Sequence, residues 1–72
     1  MYIVIELQKN ELGIVSTIVT EHPTLAEAES KYHSILAFAS ISDVPIHSAA
    51  IITDEGVTVS HKCYKHQQSQ YL

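Results

Sequence analysis

Two apolar runs, each folded back by a short turn, flank one well-capped amphipathic segment, and this arrangement constrains the fold more than any other feature of the chain. Residues 1–21 read as a β-hairpin, 24–42 as a helix and 45–65 as a second hairpin. Tyr2–Lys9 alternates, with Ile3, Ile5 and Leu7 on one face and Tyr2, Val4, Glu6 and Gln8 on the other. Asn10-Glu11-Leu12-Gly13 supplies turn chemistry, Asn to start it and Gly to take a positive φ. Residues 14–20 return as a run rich in β-branched side chains, which suit strands. Asp54-Glu55-Gly56 repeats the turn signal between 46–53 and 57–65.

Between the hairpins, Thr24 and Glu27 have the spacing of a capping box, and Pro23 holds His22 extended. Leu25, Ala28, Tyr32, Ile35, Leu36 and Ala39 recur on one helical face. Asp43 and Pro45 end the helix. The expected fold is α+β: ββαββ, a four-stranded antiparallel sheet with one helix on a single face, followed by a loose tail over 66–72. The purely apolar row Ile3, Ile5 and Leu7 is expected to meet the helix. Tyr2 and Val4 would then line the uncovered face. Phe38 and Ile41 project away from the main helical face. These four residues are the candidate oligomer interface, since exposed contiguous apolar surface marks interaction sites.

At 72 residues the chain is one domain with a modest core. Chains of this size gain stability from disulfides, metals or association. Cys63 is the single cysteine, so no intrachain disulfide forms, and a reducing, cytoplasmic setting is expected. No leader and no membrane-spanning run is evident. The net charge is -4, and Lys9, Lys31, Lys62 and Lys65 are the only Lys or Arg. So few cations argue against nucleic acid as a partner.

The chemistry-bearing residues fall into loose groups. His61 and Cys63 share a strand face, with His47 on the neighbouring strand. A three-residue loop closed by a Gly bulge would bring His47 beside Cys63; a two-residue loop would turn it to the other face. A lone cysteine without C-x₂-C or H-x₃-H spacing makes a poor zinc site. A Cys/His nucleophile lacks a third, orienting group. Cys63 is therefore expected to pack as a small hydrophobe. Around the helix start, His22, Thr24 and Lys31 form a candidate anion site, opposed by Glu27. Glu29 and His33 form a helical flank pair. His22, Lys31, His33, His47 and His61 are thus the candidate ligand- or partner-binding residues. No catalytic residue, metal ligand or cofactor is assigned. The G-x-G-x-x-G, Walker, H-E-x-x-H and G-x-S-x-G patterns are absent.

Three stretches, Met1–Gln8, Glu27–His33 and Pro45–Ala49, resemble small uncharacterised proteins encoded by gut Firmicutes and by their phages or prophages. The resemblance spans most of the chain before the tail and carries no functional residues. It implies a phage-type accessory protein in the host cytoplasm that interferes with host defence. The expected function is a non-enzymatic, homo-oligomeric binding protein, a dimer or higher. Its target would be a host protein, which calls for a flat apolar patch, or a small anionic signal, which calls for a polar pocket between subunits. A structural or virion-associated role and a small Cys/His metal protein or enzyme are the alternatives.

Overall fold

The computed structural model describes residues 1–66. Strands β1 (Tyr2–Lys9) and β2 (Val15–His22) are followed by helix α1 (Leu25–Ala39) and strands β3 (Ile46–Thr53) and β4 (Thr58–Lys65). The four strands make one antiparallel sheet in the order β2-β1-β3-β4, with the helix on one face. This is the expected ββαββ, α+β fold. No helix among the described residues is long and apolar enough to cross a membrane.

Both hairpins close in the same way. The Asn10 N–H donates to the Ile14 carbonyl at 3.0 Å, and the Thr53 N–H to the Val57 carbonyl at 2.8 Å. Each loop therefore holds three residues and ends in a glycine at positive φ, +83° at Gly13 and +87° at Gly56. Such a φ is costly for any residue with a Cβ. A side-chain oxygen secures each loop. Asn10 Oδ1 accepts from Leu12 N and Ile14 N at 2.9 and 3.0 Å. Thr53 Oγ1 accepts from Glu55 N and Val57 N at 3.3 and 3.1 Å.

Thr24 caps the helix as its sequence implies, accepting the Glu27 N–H at 3.2 Å. The helix stops at Ala39, three residues short of the expected end, so Ile41 lies in the loop beyond it. Its core face is the predicted one: Ala28, Tyr32, Ile35 and Ala39 are buried, with Leu25 and Leu36 half-buried.

The sheet face beneath the helix is the reverse of the expected one. Val4 is 1% exposed in the core with Ala49 and Ile51, and Tyr2 packs against them. Ile3, Ile5 and Leu7 lie on the uncovered side. The alternation of β1 pointed the other way because its odd row is purely apolar while its even row contains Glu6 and Gln8. β3 offers apolar residues to both sides, Ala49 and Ile51 on one and Ala50 and Ile52 on the other, so neither row excluded the helix. Val4 is therefore a core residue and Tyr2 is half-buried against the core, so neither lines the uncovered face as expected. His66 was expected to begin the loose tail. Instead its N–H donates to the Pro45 carbonyl at 2.8 Å, and its ring Nε2 donates to the Ala39 carbonyl at 2.7 Å. The rest of that tail, 67–72, lies outside the described residues.

Candidate functional site

Two features stand out from ordinary packing: an uncovered apolar face and a buried polar pair. The helix lies mainly over β3 and β1, less over β2 and least over β4. On the opposite side of the sheet the register sets Ile3 beside Ile52 and Ile5 between Val19 and Ala50. With Leu7 these six side chains form a flat apolar field. Val19 at the margin is 57% exposed. The central members are half-buried, with no layer over them among the described residues.

The polar pair lies under the helix. Glu6 and His47 point to the covered face from adjacent strands, two residues out of direct opposition, with Gln8 opposite His47. His47 Nε2 donates to Glu6 Oε2 at 2.7 Å. Gln8 Nε2 adds a second donor to the same oxygen at 3.2 Å. His47 is 4% exposed, and its Nδ1 has no hydrogen-bond partner among the described residues. An ionised carboxylate only accepts, so the hydrogen must sit on Nε2. In the neutral ring Nδ1 then carries a bare lone pair.

Opposite His47 on β4 stands Tyr64. The Tyr64 ring stacks on His66 at 6.2 Å between centroids, and Lys62 Nζ lies 5.3 Å from its centre. Burial, with a smaller contribution from Tyr64, pushes the Tyr32 phenol above its usual pKa. Tyr32 is thus a core residue with Tyr64 nearby. Tyr71 lies outside the described residues.

The cluster of His47, His61 and Cys63 that a three-residue loop would have allowed does not form. The three-residue loop at Asp54-Glu55-Gly56 is present, and an uninterrupted ladder from it would have set His47 opposite Cys63. An irregularity between Ile51 and Ile52 leaves Val59 as an extra residue on β4 and moves the register by one. His47 therefore faces Tyr64, while Cys63 faces Ser48 and His61 faces Ala50 on the uncovered side. Cys63 is half-buried there, not in the core. No sequence signal marked Val59, since it is one more β-branched residue in a strand.

The remaining candidates are dispersed. His22, half-buried at the end of β2, hydrogen-bonds Thr20 Oγ1 through Nε2 at 2.9 Å. Lys31 is half-buried, and His33 is exposed with its ring edge-on to Tyr32 at 5.3 Å. Among the described residues no hydrogen bond or ion pair joins any two of His22, Lys31, His33, His47 and His61. No three His, Cys, Asp or Glu side chains gather with metal-binding geometry among the described residues. Phe38 leaves the core face, as the helical wheel requires, and is 68% exposed; Ile41, in the loop past the helix end, is 82% exposed.

Sequence reasoning missed the Glu6–His47 pair. A signal was present: a carboxylate and an imidazole share rows of neighbouring strands with Val4 on one and with Ala49 and Ile51 on the other. Comparison with known protein families, with curated proteins and with solved structures returns no match to this chain.

Proposed function

We propose that the protein is a small, non-enzymatic, homo-oligomeric binding protein that seats a partner protein on the uncovered face of its sheet. The observation that carries this reading is the apolar field of Ile3, Ile5, Leu7, Val19, Ala50 and Ile52, which no element among the described residues covers. Flat apolar surface suits another protein surface better than a small charged ligand, which needs convergent polar groups. The dispersal of His22, Lys31, His33, His47 and His61 weakens the anionic-signal reading within one subunit. In the phage setting that the sequence resemblance implies, the partner is a host protein, and a host-defence protein is the class this reading favours.

Native mass spectrometry of the protein drawn from bacterial lysate tests the reading. The expected result is a second polypeptide held in fixed stoichiometry, and lost when Ile5 and Val19 are both changed to lysine. A retained small anion in place of a polypeptide would refute the reading in favour of signal sequestration. Further copies of this chain as the sole occupants of the face would refute it in favour of a structural role.

A further inference from the structure

The two edges of the sheet are unequal. β4 is broken by the irregularity at Val59 and carries Lys62 and Lys65. Bulges and lysines are the ordinary means of keeping an edge from pairing. β2 has neither. Its eight residues pair with β1 without interruption and contain no Pro and no Lys. It is bare on both faces as well, with Val19 57% exposed on the uncovered side and Ile18 55% exposed on the helix side.

The hairpin sets the phase of this edge. The bond from Asn10 N–H to the Ile14 carbonyl makes Asn10 and Ile14 a hydrogen-bonded pair. Such pairs alternate along an antiparallel ladder. Ser16, Ile18 and Thr20 therefore turn their backbone groups to β1. Val15, Thr17, Val19 and Glu21 turn theirs outward, away from the sheet.

We infer that the β2 edge pairs with the β2 edge of a second copy, antiparallel about a two-fold axis at Ile18, to make one continuous eight-stranded sheet. The partner is a second copy because the edge is complementary to itself in this register. Thr17 meets Val19 of the partner subunit, and Val15 meets Glu21 of the partner subunit. All four outward-facing residues thus find hydrogen-bonding partners. Moving the axis to Thr17 or to Val19 leaves one of the four unmatched. At the axis Ile18 meets its own symmetry mate in a closely spaced, non-hydrogen-bonded pair, which buries its exposed side chain.

This inference rests on the homo-oligomeric reading above and supplies its geometry. One open face measures roughly 26 by 19 Å from strand rise and spacing, or about 500 Å². A stable protein interface uses about 800 Å² per partner. Joining two faces edge to edge gives about 1,000 Å² of continuous surface by the same spacings, enough for the partner protein.

Sedimentation at micromolar concentration and oxidative cross-linking test it together. The wild type should sediment as a dimer. Thr17→Pro removes an outward N–H that β1 does not use, so it should give a folded monomer, checked by circular dichroism. Ile5→Lys, on the open face, should remain dimeric. In a Cys63→Ser background, Ile18→Cys should form a covalent dimer on oxidation, and Thr20→Cys should not. A dimer that survives Thr17→Pro but is lost in Ile5→Lys would overturn the edge pairing and leave the homo-oligomeric reading standing. A wild-type monomer would overturn both. Should Thr17→Pro fail to fold, absence of the Ile18→Cys cross-link in a protein that still sediments as a dimer would overturn the edge pairing alone.

Discussion

Removing the Glu6 carboxylate by Glu6→Ala leaves the His47 ring buried with neither nitrogen paired. Nδ1 already lacks a partner, and Nε2 would lose the oxygen it reaches at 2.7 Å. His47 is 4% exposed, so water cannot readily take that oxygen's place. Stranding a buried polar group costs about 1–3 kcal/mol. Gln8 loses an acceptor too, but it is half-exposed and can turn to solvent. A domain of this length holds roughly 4–11 kcal/mol in total, so the loss is a large share. With a urea slope near the small-protein value of about 1 kcal/mol/M, the midpoint should fall by roughly 1–3 M. Replacing both partners, Glu6→Leu with His47→Leu, removes the polar groups as well as the bond. Apolar replacement of a buried pair is commonly neutral or stabilising. The double variant should therefore be more stable than Glu6→Ala. Equal midpoints for Glu6→Ala and wild type, or a double variant less stable than the single, would refute the reasoning.

Ile51 is fully buried at the centre of the core cluster, and Ile51→Ala should cost about 2–5 kcal/mol, read as a lowered midpoint in urea. The raised Tyr32 pKa makes a contribution to stability that is present below the unfolded-state value near 10 and is lost as pH rises through the folded value. Tyr32→Phe should therefore lose less stability than wild type across the alkaline range, and parallel losses in urea titrations there would contradict the assignment.

The local features of the fold were legible because local chemistry produces them. Asn10, Gly13, Asp54 and Gly56 mark the two turns, Thr24 marks the helix start, and the spacing from Leu25 to Ala39 marks its buried face. Which sheet face the helix covers was not legible, because β3 carries isoleucine and alanine on both sides. A choice between two apolar rows depends on how closely the helix can approach. Ala28, Ala39 and Ala49, each fully buried, permit that approach on the Val4 side. The site residues depended on register over a longer span. One extra residue at Val59 separated His47 from Cys63 and His61, and nothing in the composition of β4 announced it. Phe38 was legible as off-face because a helical wheel needs no long-range information; Ile41 is exposed for another reason, since the helix ends before it.

The strand order β2-β1-β3-β4 has a kinetic consequence. Each half of the sheet is a hairpin contiguous in sequence, so its ladder closes over a loop of three residues. The two halves meet only along β1 and β3, where Tyr2 lies beside Thr53 and Lys9 beside Ile46. That seam closes across the whole helix, and closure entropy rises with the length enclosed. Non-local pairing of this kind slows folding. The hairpins and the helix can form early and separately, leaving the zipping of β1 onto β3 as the committing step. The loop between Ser40 and Pro45 is therefore the natural place to divide the chain: fragments ending and beginning there would each carry one intact hairpin and would recover the fold by docking along the β1–β3 ladder together with the packing of α1 over β3.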